Sequence, residues 1–166
     1  MRKRYSMIPV YSVVGYSGAG KTVFLEKLIP ELRGRGLSLA VVKHDSHNFE
    51  IDKEGKDSWR FAQAGADVVA VVSRGKAALI EYRDIGLDGV LNRIRDVDLI
   101  LTEGYKNGDY KKIAICRKGS DYSPIGAPDG MFAIVTDLIF VTDTPCFALD
   151  DASGLADLIC EDLNKK

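Results

Sequence analysis

Gly15-Tyr16-Ser17-Gly18-Ala19-Gly20-Lys21-Thr22 spells a complete GxxxxGK[ST] loop. Upstream, Ile8-Pro9-Val10-Tyr11-Ser12-Val13-Val14 reads as a buried strand, and downstream residues 23–32 read as a helix. A phosphate cradle needs that order of strand, glycine-rich turn and helix. Backbone N–H groups of the turn wrap a β-phosphate, and the helix N-terminus adds the positive end of its dipole. Lys21 supplies a mobile charge for the β- and γ-phosphates, and the Thr22 hydroxyl a ligand for Mg²⁺. A chance match in a chain this size is on the order of one per cent or less, taking Gly at its usual share of residues. The stretch therefore predicts a nucleoside triphosphate site.

Short apolar, β-branched runs follow in alternation with helical patterns. Strands are expected at residues 37–43, 68–72, 77–81, 99–102, 113–115, 132–135 and 139–141, and helices near residues 58–64, 87–95 and 153–163. Continuous rather than alternating apolar runs imply strands covered on both faces, as in a mostly parallel sheet. The expected fold class is α/β: a three-layer P-loop NTPase fold, with a mostly parallel sheet and helices on both faces. Right-handed crossovers then gather the βα loops, and with them the ligand, at one sheet edge. Pro30 sits inside the first helical pattern and is expected to distort it, with the helix finishing at Gly34 or Gly36. The polar stretch 106–128 is read as a hairpin or interface arm within a single nucleotide-binding domain, residues 1–166.

Composition narrows the function. The 166 residues carry 23 Lys and Arg against 24 Asp and Glu, a net charge of −1. Nucleic acid as a main partner needs a concentrated cationic face, and no basic block follows Arg2-Lys3-Arg4. Cys116, Cys146 and Cys160 are scattered and lack CxxC spacing, which suits a reducing compartment. Arg2-Lys3-Arg4 before an apolar stretch imitates a signal peptide, but the stretch runs straight into the phosphate loop. No later segment reaches the roughly 20 apolar residues of a membrane span. The expected location is the cytoplasm, without membrane attachment.

Three further stretches carry candidate chemistry. Asp98-Leu99-Ile100-Leu101-Thr102-Glu103 is a buried strand that starts and ends on an acid. Glu103 falls at the loop-bearing edge, where a carboxylate can hold a magnesium-bound water or orient an attacking one. Residues 43–58 form the densest polar stretch and hold both histidines, His44 and His47. Asp45 is a candidate ligand of a Mg²⁺-bound water, and Lys43, Lys53 and Lys56 suit an anionic second substrate. The two histidines with Asp45 could instead take a transition metal. Ala133-Ile134-Val135-Thr136-Asp137 ends a further strand at the same edge. A carboxylate at Asp137 can accept from guanine N1–H and N2–H₂, a donor pair adenine lacks. The Asn-Lys-x-Asp string of many GTPases is replaced by Val-Thr-Asp, and Asp137 as a plain turn residue stays open.

Taken together, these residues resemble the MobB family of molybdopterin-guanine dinucleotide biosynthesis adaptor proteins. The resemblance rests on the loop at Gly15–Thr22, on Ala40-Val41-Val42-Lys43-His44, and on Gly55-Lys56-Asp57-Ser58-Trp59-Arg60 with Ala64-Gly65-Ala66. It continues through residues 98–102 to Glu103-Gly104-Tyr105-Lys106 and on to Lys112-Ile113-Ala114-Ile115, so it spans nearly the whole chain. It implies a P-loop protein binding GTP and Mg²⁺, at most a weak GTPase, acting as a homodimer. It also implies a helper role for the nucleotidyltransferase (MobA) that joins GMP to molybdopterin, with molybdopterin a further candidate ligand. Family roles carry onto Gly15, Tyr16, Ser17, Gly18, Ala19, Gly20, Lys21 and Thr22 for phosphate and Mg²⁺, and onto Glu103. Position 16 is Tyr where some relatives of the dimer-forming branch carry an extra lysine for cross-subunit catalysis, which argues against efficient hydrolysis in trans. Arg60, Arg74 or Arg117 of a partner subunit could supply an arginine finger. The alternatives are a small-molecule kinase or ATP-dependent ligase of the same fold, and a metallochaperone GTPase using His44 and His47.

Overall fold

The computed structural model describes residues 8–44, 49–119 and 128–165. It divides into two compact units, Met1–His44 with Asp96–Lys166, and Asp45–Arg95. The first unit is built on β1 (Val10–Val14), β2 (Leu39–Lys43), β5 (Leu99–Glu103), β6 (Lys111–Cys116), β7 (Ala133–Thr136) and β8 (Cys146–Phe147). The second contains β3 (Val68–Val72) and β4 (Ala77–Glu81). The six strands of the first unit form one sheet in the order β2-β5-β1-β6-β7-β8, every pairing parallel. This is the α/β, mostly parallel architecture expected from the sequence.

The central strands earn their place through two-sided burial. In β1, Tyr11 and Val13 face one side with Leu99, Leu101, Ile113, Ile115, Ala133 and Val135. On the other side Val14 joins Ala114, Cys116 and Ile134, with Met131 and Phe140 packed against them. Ser12 and Thr102 are register partners on that second side, and their buried hydroxyls bond each other at 2.8 Å. Two helices cover the first side: α1 (Lys21–Gly34) through Phe24, Leu25, Leu28 and Leu32, and α4 (Ala152–Asn164) through Leu155, Ala156 and Ile159.

α1 runs through Pro30 and ends at Gly34. Glu26 and Pro30 lie on its exposed side, so water can reach the Glu26 carbonyl that Pro30 cannot bond. The end is a Schellman turn: Gly36 takes φ +84°, its N–H reaches the Arg33 carbonyl at 3.0 Å, and the Leu37 N–H reaches Leu32 at 3.2 Å. Arg35 then ties α1 to α4, donating to Glu31, Asp157 and Ser153.

Two expectations about strands need correction. Residues 68–72 and 77–81 are strands, but they pair only with each other, as an antiparallel hairpin in the second unit. Their apolar run is not covered on both faces: Val69 is buried, whereas Val72 is 77% and Leu79 60% exposed. Within the polar stretch 106–128, the strand expected at 113–115 is present and longer: residues 111–116 form β6, paired on one side with β1 and on the other with β7. Residues 120–127 lie outside the described part. Residues 139–141 form no strand. Thr142 and Thr144 bond the 3₁₀ turn Pro128–Gly130, at Asp129 Oδ1 (2.7 Å) and the Pro128 carbonyl (2.8 Å), and pairing resumes only at β8. The second unit also contains α2 (Asp57–Gln63) and α3 (Gly86–Leu91). Among the described residues, no helix is long and apolar enough to cross a membrane.

At the end of the sheet away from the glycine-rich loop, the buried Tyr11 hydroxyl donates to Asp162 Oδ2 of α4 at 2.5 Å, and Lys111 pairs with the same carboxylate. Burial first, and then the bond to Asp162, holds the phenol far above the usual tyrosine range. The stability that depends on the neutral phenol is fully present below the unfolded tyrosine value of about 10, and is lost as pH rises above it. Tyr11→Phe is expected to cost about 1–2 kcal/mol at pH 7, because Asp162 loses a donor. Denaturant melts from pH 7 to 11 should show the wild type weakening above pH 10 more steeply than the variant.

Candidate functional site

The loop between β1 and α1 is shaped by close approach and by positive φ. Gly15 leaves β1 so near β6 that a Cβ would stand 2.7 Å from the Ile115 carbonyl oxygen. Gly18 and Gly20 have open space around them but φ of +76° and +93°, which a side chain disfavours. Gly20 is the N-cap of α1 and brings no side-chain cap, so the first-turn N–H groups have no capping side chain and are available to an anion. Ala19 is buried, while Ser17 and Thr22 are exposed.

Lys21 folds back under this loop, its ammonium donating to the carbonyls of Gly15 at 3.1 Å and Tyr16 at 2.8 Å. Burial is the main reason its pKa sits below the usual lysine range; Glu103 opposes the shift, while Lys106 and Lys43 add to it. The Thr22 hydroxyl donates to Glu103 Oε1 at 2.9 Å. Glu103 is the last residue of β5, opposite Val13 of β1 on one side and Lys43 of β2 on the other. Asp98, at the far end of β5, accepts from the Ser38 N–H and hydroxyl, both at 2.7 Å, which holds its carboxyl below the usual range. The two acids of the strand thus separate by position: one at the loop, one tying β5 to β2.

The hydroxyl–carboxylate pair is an all-oxygen donor set beside the loop, which fits Mg²⁺, a hard ion that keeps much of its water. The bare amides of the first turn and the Lys21 ammonium fit phosphate oxygens. Asp137, just past β7, accepts the Lys118 N–H at 2.7 Å through Oδ1. It therefore holds the chain at residue 118 with one oxygen, in keeping with the turn role left open from the sequence. A cleft of about 190 Å³ opens beside the loop, lined by Ala19, Gly20, Val23, Lys27, Arg117 and Leu149, so Arg117 borders the loop within its own chain.

Lys43 and His44 end β2 at the same edge. The His44 N–H bonds the Glu103 carbonyl at 2.9 Å, and its ring meets Tyr105 edge-on at 5.2 Å. Asp45 and His47 lie outside the described residues. Among the described residues, no group of three or more His, Cys, Asp or Glu converges as a metal site. The feature that sequence reasoning missed is Lys106, whose ammonium stands 5.4 Å from the centre of the Tyr16 ring. Its signal was present in the string Glu103-Gly104-Tyr105-Lys106, but no chemistry was attached to the lysine.

In the second unit, Lys56 and Asp57 open α2, and Arg60 pairs with Asp57 at 3.6 Å. A shallow cavity of about 430 Å³ is lined there by Lys56, Asp57, Ser58, Phe61 and residues 69–72. Glu81, at the end of β4, is gripped by Arg83 and Arg93, each at 2.6 Å.

A parallel sheet whose first strand runs through this loop into a helix defines the chain as an α/β protein of the P-loop NTPase type. Residues 10–137 match the family described as MobB, molybdopterin guanine dinucleotide synthesis protein B, and the chain belongs to that family. It is 33% identical over 169 residues to the molybdopterin-guanine dinucleotide biosynthesis adapter protein of Escherichia coli, covering 97% of each chain. The protein of the same description from Haemophilus influenzae is 34% identical, over 93% of this chain and 89% of that one. Among solved structures, a crystal structure of molybdopterin-guanine biosynthesis protein B (mobB) superposes with a TM-score of 0.72 at 29% identity, covering 93% of this chain and 99% of that one. Bacillus subtilis MobB superposes with a TM-score of 0.72 at 30% identity, covering 92% and 96%.

Gly15→Ala tests the close approach directly. The methyl would collide with a backbone oxygen that cannot swing away, so a loss of about 1–3 kcal/mol is expected in denaturant melts. Ser17→Ala, on the exposed part of the same loop, should melt as the wild type does.

Proposed function

We propose that the protein is a GTP-binding adaptor of molybdenum-cofactor maturation in the cytoplasm, assisting the attachment of GMP to molybdopterin. The reading rests on one observation above the others. Lys21, Thr22 and Glu103 converge where β1 gives way to the loop, with Thr22 and Glu103 2.9 Å apart. The printed descriptions of the Escherichia coli and Haemophilus influenzae relatives supply the pathway.

In this reading the first-turn amides of α1 and the Lys21 ammonium hold the phosphates. Thr22 and Glu103 hold Mg²⁺, directly or through its waters, and the ion would neutralise charge on the β- and γ-phosphate oxygens. Glu103 also stands where it can orient a water toward the terminal phosphate. Turnover is slow in this reading, since an arginine finger is worth about 10³–10⁵ in rate and the cations that act on Lys21 are Lys106 and Lys43. Guanine is favoured if the second oxygen of Asp137 accepts from the base. The acceptor of the adaptor's action is a nucleotidyltransferase, with molybdopterin a further candidate ligand.

A homodimer completes the proposal. Val68, Val72 and Leu79 leave an apolar face of the β3–β4 hairpin exposed, and both outer edges of this two-stranded sheet carry unpaired backbone groups. Such a hairpin is marginal by itself. A second copy supplies the covering surface, a different place from the 106–128 interface arm read from the sequence.

Two measurements test these statements. In calorimetric titration with Mg²⁺, the wild type should bind GTP at least about tenfold more tightly than ATP, a preference of about 1.4 kcal/mol, and Lys21→Ala should lose both. Preference for ATP would promote the kinase or ligase reading. Light scattering at micromolar concentration should give twice the chain mass, with Val72→Lys/Leu79→Lys shifting it to one; a wild-type monomer with and without GTP removes the dimer.

A further inference from the structure

We propose that Lys106 is a γ-phosphate sensor, held over Tyr16 until a triphosphate draws it onto the terminal phosphate. The inference rests on the nucleotide reading above and assigns a residue that this reading leaves without a role.

The chain turns toward the loop directly after Glu103. Gly104 takes φ +90°, its N–H bonds the Val13 carbonyl at 3.0 Å, and a Cβ there would come within 3.3 Å of the His44 carbonyl. The turn is thus clamped between the ends of β1 and β2. Tyr105 is set edge-on against His44, and Lys106 then extends over the Tyr16 ring. A side chain that long is usually free in solvent. Here the backbone before it is held by Gly104 and Tyr105, and its ammonium stands over a loop residue.

Charge points the same way. Lys106 and Lys43 both act on Lys21 at this edge, and Glu103 is the carboxylate that offsets them. Glu103 is already engaged with Thr22. Among the described residues, these three ammonium groups face one committed carboxylate, a cationic surplus that suits the dense negative end of a triphosphate. Contact between an exposed lysine and an aromatic face is weak, whereas a charge-assisted bond to a phosphate oxygen is strong. Exchange of the first for the second is therefore downhill. Lys106 lies three residues past Glu103, on the side where Thr22 and Glu103 mark the β- and γ-oxygens, so the terminal phosphate is the one it meets. Removal of that phosphate returns Lys106 to Tyr16, so its side chain, on a clamped turn, takes a different position in the tri- and diphosphate states.

The test compares a non-hydrolysable GTP analogue with GDP, each with Mg²⁺, by calorimetry on the wild type, Lys106→Ala and Lys106→Arg. Lys106→Ala should weaken the triphosphate by about tenfold and GDP by less than about twofold, the loss of one charge-assisted contact. Lys106→Arg should restore most of the difference, and all three proteins should melt alike. Equal weakening of both ligands, or of neither, overturns the assignment while leaving the nucleotide reading intact. Failure of the wild type to bind either ligand overturns both.

Discussion

The pairing of β1 with β5 on one side and β6 on the other is the constraint on which the site depends. Parallel register sets Glu103 against Val13 of β1 and Lys43 of β2, so these three strands finish at nearly the same height, while β6 runs on two residues past the partner of Val14. β1 must then leave the sheet beside the Ile115 carbonyl, where only a residue without a side chain fits. From that point α1 starts with Lys21 and Thr22 in its first turn, directly over the end of β5. Neither the loop nor Glu103 has an independent location. Each is set by where its strand ends, and the strands end together because their apolar residues are buried from both faces.

The opposite end of the sheet is closed by different means. Asp98 ties β5 to β2 through Ser38, and Tyr11 and Lys111 fasten α4 through Asp162. These bonds join neighbouring elements and use up their polar groups on one another. At the loop end the balance is reversed among the described residues: backbone amides lack a capping side chain, cations outnumber the carboxylate, and a hydroxyl bonds the acid. The contrast between a self-satisfied end and an electrostatically incomplete one is the physical ground for locating function at the latter.

Much of this was legible in the sequence, where the information is local. The loop reads directly from its glycines and lysine. The choice of Glu103 over Asp98 follows from which end of a buried strand each occupies. Tertiary features were not legible. The valine run at 68–72 has the composition of a doubly covered strand, yet its partner is the next strand, and it leaves Val72 exposed. The run at 139–141 is β-branched and apolar, but the threonine bonds to the 128–130 turn set the backbone on another course. Residues 113–115 read as a strand from their apolar run, but its place inside the sheet and its extension to Lys111–Cys116 did not, because Lys111 and Lys112 are polar. Lys106 was hidden for a similar reason: its approach to Tyr16 depends on Gly104 adopting φ +90°, which the letters permit without requiring.

The central claim is that one loop, one hydroxyl and one carboxylate form a GTP·Mg²⁺ centre. The most direct test is a crystal structure of the protein grown with Mg²⁺ and a non-hydrolysable GTP analogue. The account predicts phosphates on the amides of residues 18–22, Lys21 on the β- and γ-oxygens, and the metal between Thr22 and Glu103. A nucleotide bound away from the loop, or a metal that leaves the Thr22–Glu103 bond intact and binds elsewhere, would contradict it.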